Sequence, residues 1–453
     1  MLPAGYARQN LQKHQPSHPA NDSCWEYVGT PGFSGGAASS ICSALDNNGN
    51  LYVAFVDHQY LSHASVMKYD GSSWSYVASP GFTNGPVDFL SLSITYSDTL
   101  YIAFEDGSNT WKASVMKFDG TNWIYVGTPG LSVGAAAFTS LSFDDNQQPY
   151  VAYQDNGLNG KVSVRKYTGS YWITTGNAGF SGGVAEYITL ITSNSTPYVA
   201  FKDYANGGKA TVMKQNGTVW SSVGYAGFST GTADFINLGT DYLTGRLFVA
   251  FSDGSNGGKT TVMTYNYGNW SNLGNPGFSP GKASFISLFV SYPNTPYVAF
   301  QDYADSMKAT LMYYRGSVWE SYGSPDFSDG HAYSVSLAMT LSGPPYVAFS
   351  DSAMGFRPVV MKYAEVAANI NDLASPAFSL YPDPATTSLI IEQTRKLIAS
   401  GIFEIFDGMG RKVAEGQIMG TKTLINVEKY PRGIYVIRFR SGMTTKALRF
   451  CKE

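Results

Sequence analysis

W-I-Y-V-G-T-P-G-L-S-V-G-A-A-A-F-T-S-L-S-F-D-D-N-Q-Q-P-Y-V-A-Y-Q-D-N-G-L-N-G-K-V-S-V-R-K-Y-T-G-S-Y-W, residues 123–172, is one unit of a repeat. It holds four short runs rich in Val, Ile, Tyr, Phe and Thr, each bounded by Gly, Pro, Asn or Asp. Such runs are strands joined by turns. Roughly 12 residues per strand plus turn fits ordinary strand and hairpin-loop lengths. No window sustains a helical period, so the region is all-β. Outward from this stretch the pattern recurs. Trp25, Trp74, Trp123, Trp172, Trp220, Trp270 and Trp319 stand 48 to 50 residues apart. Asp57, Asp106, Asp155, Asp203, Asp253, Asp302 and Asp351 close the Y-V-A-F-x-D runs in step.

A fixed period of this size means units that bury their apolar faces only against neighbours. Four strands in about 49 residues is the pattern of a β-propeller blade. Strand b, the Y-V-A-F run, is apolar on both sides, as a sheet between two sheets requires. Strand a alternates: Leu92, Leu141, Leu190, Leu238, Leu288 and Leu337 follow Ser91, Ser140, Thr189, Asn237, Ser287 and Ser336, with Cys42 and Ser43 departing in the first unit. A small polar row on the innermost strand suits a narrow, wet channel. The chain enters on a lone W-E-Y-V strand and leaves the array on R-P-V-V-M-K-Y, the third strand of a unit. The expectation is a seven-bladed propeller over 22–364, its last blade completed by the first strand, so that no open end is left. Residues 1–21 read as a disordered lead-in, 365–376 as a linker, and 377–453 as a small β-sandwich-like domain.

Charged residues are scarce at 14% and the net charge is −3. Residues 373–453 hold 12 basic and 7 acidic residues, or +5; the rest holds 18 and 26, or −8. A mildly acidic propeller lacks the dense basic patch that nucleic acid requires. No apolar stretch is long enough to span a membrane. Cys24, Cys42 and Cys451 cannot all pair; buried thiols are the preferred reading and a Cys24–Cys42 bond the alternative. No cofactor motif, metal-ligand spacing, HExxH, GxSxG or calcium loop is present, and a monomer is expected.

The tail breaks the repeat. It carries Tyr381-Pro382-Asp383-Pro384-Ala385, a hairpin at Gly410 to Val413, Gly433-Ile434-Tyr435 and a basic last strand. It resembles the type A C-terminal sorting domain of the type IX (Por) secretion system of Bacteroidota, over about 77 residues. The chain departs from the family in Asp383, where Asn is usual, and in Cys451. The resemblance implies Tyr381, Pro382, Pro384, Gly410, Gly433 and Tyr435 as sorting-motif residues. It also implies the type IX machinery as a partner, and a secreted or cell-surface protein. Export needs a prior signal segment, and Met1–Asn10 lacks an apolar core. Gly5 and Ala7 fit the −3 and −1 positions of a cleavage site if translation starts upstream of Met1.

Candidate function lies on the face of the d–a and b–c loops. A ring of Phe33, Phe82, Leu131, Phe180, Phe228, Phe278 and Phe327 accompanies the seven Asp there. Stacking aromatics beside carboxylates build sugar sites; the competing reading is Phe wedged between blades and Asp capping its turn. Fourteen residues after each Trp the series Ser39, Asp88, Ala137, Glu186, Asp234, Ser284, Tyr333 varies freely. Asp88, Glu186 and Asp234 are candidates there for polyol or cation contact, against simple surface drift. His331, Arg315, Arg357 and Trp111 are unique to their blades; decoration is the preferred reading of each, and His331 and Arg357 stand as further ligand candidates. The turns Asp70-Gly71-Ser72-Ser73-Trp74 and Asp119-Gly120-Thr121-Asn122-Trp123 resemble a shortened Asp-box of sialidases, but Lys68 and Lys117 replace its Ser/Thr, and Thr168 and Asn216 replace the Asp in later units. The expected function is a non-enzymatic module binding glycan or surface protein by repeated shallow sites. The alternative is a glycoside hydrolase or lyase at the channel mouth, and a passive surface-layer spacer is a third possibility.

Overall fold

A computed structural model describes residues 24–241, 243–304, 306–341, 343–364, 378–393, 401–408, 411–418, 421–441 and 444–453. The lead-in, the linker and Gly410 lie outside them. Seven sheets of four strands correspond to the seven units. Six are contiguous, with strands a to d in spatial order, as in Ala136–Phe143, Pro149–Asp155, Lys161–Tyr167 and Trp172–Thr174 of blade 3. The seventh runs Ala332–Ala338, Tyr346–Asp351, Arg357–Ala364 and then Cys24–Tyr27, the first strand of the chain, antiparallel with Trp25 opposite Tyr363. Each strand a touches the next, and strand a of blade 7 touches Ala38–Leu45 of blade 1, which closes the ring.

The core lies between blades. The Val-Ala-Phe centre of strand b is inaccessible in blade after blade, as at Val53, Ala54 and Phe55. Bulky side chains on both faces of each sheet meet those of its neighbours, so no blade is stable by itself. The small polar row of strand a stitches the blades together. Ser91 Oγ accepts from the Leu141 amide (3.1 Å), Ser140 Oγ from Leu190 (2.9 Å) and Ser287 Oγ from Leu337 (3.0 Å). Ser336 Oγ accepts from the Ser43 amide (3.0 Å) across the closure.

Trp staples the outside. In blades 1 to 6 its indole Nε1 donates to the carbonyl just past strand d of the preceding blade, as in Trp123 to Val77 (3.1 Å), Trp172 to Val126 (2.6 Å) and Trp270 to Val223 (2.7 Å). The glycine after that carbonyl is fixed by the fit. Gly224 has φ +75°, and a Cβ there would lie 3.1 Å from Trp270 Cδ1.

By contact density the chain falls into two compact units, one with Val28–Ser321 and Ser328–Val360, the other with Tyr322–Phe327 and Met361–Glu453 among its segments. In the tail two sheets share one core. One holds Phe378–Tyr381, Ser388–Gln393 and Lys422–Asn426; the other holds Lys412–Ile418, Gly401–Phe406, Gly433–Ser441 and Thr444–Lys452. Leu389, Ile391, Ile405, Ile437 and Phe450 are buried between them. The Y-P-D-P-A segment is pinned to the last strand: Asp383 Oδ1 accepts from the Cys451 amide (2.7 Å) and the Ala385 amide donates to Cys451 O (2.7 Å). Tyr435 is buried and donates to Pro431 O (2.8 Å). Gly433 holds φ +149°, open only to glycine. The cysteine expectation is corrected in part. Cys42 is a free thiol that donates to Leu90 O (3.0 Å), and burial pushes it up to about 12. The Cys24–Cys42 bond is therefore absent, while Cys451 is disulfide-bonded rather than a buried thiol.

Candidate functional site

Every strand a carries a β-bulge near its start. In blade 2 Asp88 pairs with Glu105, but the next pair is Ser91 with Ala103, so strand a has one residue too many. The same slip follows Ser39, Ala137, Glu186, Asp234, Ser284 and Tyr333. The freely varying row is thus the residue before the bulge, and the bulge turns the next side chain. That next residue is left-handed in all seven blades: Ser40, Phe89, Phe138, Tyr187, Phe235, Phe285 and Ser334 have φ of 48 to 53°. Bulky residues rarely adopt this region, and such strain clusters at functional sites.

The five aromatic members form a half-exposed collar on the inner ring. Phe89 meets Phe138 at 4.8 Å between ring centroids, Phe138 meets Tyr187 at 5.4 Å, Tyr187 meets Phe235 at 5.0 Å and Phe235 meets Phe285 at 5.4 Å. Tyr333 extends it at blade 7, 6.1 Å from Phe285 and 5.7 Å from Phe356. Sequence reading passed over the collar, although its members stand fifteen residues after Trp74, Trp123, Trp172, Trp220 and Trp270.

Polar groups sit beside the rings, each drawn from the row and its partner on strand b. Lys202, opposite Glu186, is the hub of one cluster. Its Nζ lies 2.5 Å from Asp234 Oδ1 and 3.9 Å from Glu186 Oε2, and it faces the rings of Tyr187 (5.8 Å) and Tyr204 (5.1 Å). Tyr204 donates to Glu186 Oε2 (2.9 Å). Hydrogen bonds and charge from Asp234 raise the Lys202 ammonium above its usual value despite burial. Asp88 belongs to a different cluster. It accepts from Ser40 Oγ (2.7 Å) of blade 1 and stands opposite Glu105. Partial burial, then the Asp88 charge, pushes the Glu105 carboxyl up to about 7. Glu105 and Lys202 were not singled out from the sequence, because only the strand pairing brings them to the row.

Among the sequence candidates, then, Glu186 and Asp234 come together and Asp88 stands in a second cluster. His331 lies 6.4 Å from Tyr333 by ring centroids. Arg357 opens strand c of blade 7, the position held by Lys112, Lys161, Lys209, Lys259 and Lys308 in blades 2 to 6. The phenyl rings pack face to face on indoles: Phe82 on Trp123 (4.5 Å), Phe180 on Trp220 (4.2 Å), Phe228 on Trp270 (4.2 Å) and Phe278 on Trp319 (4.1 Å). Phe228 is buried outright. The seven Asp cap the b–c turns: Asp203 accepts from the Ala205 amide (3.0 Å), Asn206 Nδ2 (2.8 Å) and Thr211 Oγ1 (2.9 Å). Among the described residues no group of three His, Cys, Asp or Glu side chains is placed to hold a metal.

Residues 379–453 match the family of the secretion system C-terminal sorting domain. The chain is a seven-bladed propeller that carries this domain at its C-terminal end, and the domain marks it for type IX export to the cell surface or the medium. No helix among the described residues is long and apolar enough to cross a membrane. No match to a curated protein sequence was found. Among solved structures, an ulvan lyase of polysaccharide lyase family PL25, bound to -[GlcA(1-4)Rha3S]-, is similar at 12% identity, with a TM-score of 0.50 over 74% of this chain and 94% of that one. The SapL1 lectin in complex with alpha methyl fucoside is similar at 15% identity and a TM-score of 0.45, over 65% and 98%. The lectin of Aleuria aurantia is similar at 17% and 0.41, over 62% and 97%. These likenesses concern the fold.

Proposed function

We propose that the exported propeller is a non-enzymatic binding module that holds glycan chains on the collar of its inner ring. The carrying observation is the run of half-exposed rings from Phe89 to Phe285, kept in a costly backbone conformation beside the Glu186–Lys202–Asp234 cluster. Aromatic faces offer apolar platforms to sugar rings, and the charged groups take their hydroxyls. Repetition of the platform across five blades supplies avidity to a chain of sugars.

A glycan-array screen of the full chain tests this, followed by Tyr187→Leu, Phe235→Leu, Glu186→Ala, Asp234→Ala and Asp88→Ala on each hit. Loss of one platform is expected to weaken binding about five- to tenfold, from about 1 kcal/mol per aromatic contact. Retention of full affinity in all five variants would remove the collar from the function.

One observation favours a second reading. Glu105, held near neutrality beside Asp88, is the kind of carboxyl that serves as an acid–base group. A hydrolase or lyase built on this pair would release reducing ends or unsaturated sugars, and Glu105→Gln would abolish that release.

A further inference from the structure

On the opposite face, where the a–b and c–d turns lie, blades 4 and 5 and the a–b turn of blade 6 line an open cleft of about 590 Å³. It is lined in part by Tyr198, Lys214, Arg246, Tyr265, Tyr267 and Asn294. No carboxylate is among its described lining residues. We propose that this cleft binds an anionic sugar unit, one whose ring carries a carboxylate or a sulfate ester.

The repeat itself explains why charge is left over here. In blade 3 the strand-c Lys166 lies over the strand-b Tyr150 ring (4.9 Å) and pairs with the buried turn residue Asp144 (2.9 Å). Lys214 is the same lysine in blade 4, opposite Tyr198. But the a–b turn of blade 4 is cut to Asn194-Ser195, and the carboxylate is gone with it. Blade 5 breaks the pattern in another way. Thr264 stands where the lysine was, and Arg246 of the a–b turn fills its space, its guanidinium over the Phe248 ring (5.4 Å) and its Nε donating to Thr264 Oγ1 (2.8 Å). The turn carboxylate Asp241 is occupied by the Leu243 and Thr244 amides and the Thr244 hydroxyl. Among the described residues neither Lys214 nor Arg246 forms an ion pair.

Two cations thus converge on one concave site without an anion. The guanidinium is held by its Nε, which leaves its terminal nitrogens for the paired oxygens of a carboxylate or sulfate. Lys214 adds a point charge. Tyr267 is fully exposed at the lip, with Tyr198 and Tyr265 half-buried behind it, so stacking surface for a pyranose adjoins the charge. Asn294 supplies donor and acceptor for hydroxyls.

The test is calorimetric titration of the full chain with three oligosaccharides of equal length: uronic-acid-bearing, sulfated, and neutral. Binding of at least one acidic ligand, tenfold or more tighter than the neutral one and weakened by salt, is expected; which one binds identifies the oxyanion. Lys214→Gln and Arg246→Gln each reduce that affinity about tenfold or more, the loss of one charge-assisted contact. Tyr267→Ser, at a fully exposed position that leaves the fold intact, reduces it severalfold. Equal binding of the neutral ligand, no binding of either acidic ligand, or unchanged affinity in all three variants overturns the proposal. These residues lie outside the collar, so that outcome leaves the collar reading standing, and loss of collar binding leaves this one.

Discussion

The end of strand b and the bulge of strand a are neighbours in every blade, yet the chain treats them in opposite ways. At the first, Asp recurs seven times, buried, and caps a turn with the same bond each time: Asp57 to the Gln59 amide, Asp253 to Ser255, Asp351 to Ala353. At the second, the backbone repeats its left-handed residue without exception, while the side chain before it runs from Ser39 to Glu186 to Tyr333. Identity at the caps reports a local folding need met in each blade. Constant backbone with varied side chains reports a mounting position, where the fold sets geometry and leaves chemistry open.

The difference should show as a gradient in stability. The largest effect is expected at the packing staple. Trp270→Ala removes a buried indole, its stack on Phe228 and its bond to Val223 O, and costs about 3–5 kcal/mol in urea unfolding. Asp203→Ala deletes three bonds at a cap and leaves the Thr211 O–H without its acceptor, though Thr211 Oγ1 still accepts from the Gly227 amide, at a cost of about 2 kcal/mol. Asp234→Ala at the bulge row, partly exposed, falls within about 0.5–1 kcal/mol because the ion pair it loses meets solvent. A cap change milder than the row change would dissolve the distinction.

Glu105 sharpens the comparison through pH. Its folded carboxyl is raised, to about 7, so its ionised form is disfavoured by the fold. Stability from this group is greatest below the ordinary carboxylate range and is lost as pH rises through about 7. Glu105→Gln is expected to flatten that part of the stability–pH curve, and the carboxyl carbon of Glu105 is expected to titrate near neutrality by NMR. Titration near pH 4 would show that the Asp88–Glu105 pair is ordinary surface charge.

Much of this was legible in the residues. The spacing of Trp25 to Trp319 gave the number of blades, and the solitary W-E-Y-V strand foretold the closure. The sorting tail was readable as a local pattern: Asp383 and Ala385 of the Y-P-D-P-A segment bond to the last strand, Gly433 holds a φ that favours glycine, and Tyr435 is buried. The site was legible only in outline. The spacing from each Trp names the row, but the bulge between Asp88 and Ser91 resets the alternation, so the facing of Phe89 and its equivalents cannot be counted back from Ser91 and Leu92. Lys202 and Glu105 come to the row only through pairing across a register slip, which no single strand encodes. The Phe82 and Phe180 ring looked like a sugar platform because sequence shows an aromatic and not the indole lying on it.

The most direct measurement is chemical-shift mapping of the full chain with a glycan drawn from the array. Shifts concentrated at Glu186, Tyr187, Lys202, Asp234 and Phe235, with the seven capped turns silent, are the predicted result. Equal shifts at Asp57, Asp106, Asp155, Asp203, Asp253, Asp302 and Asp351, with the bulge residues unmoved, would contradict it.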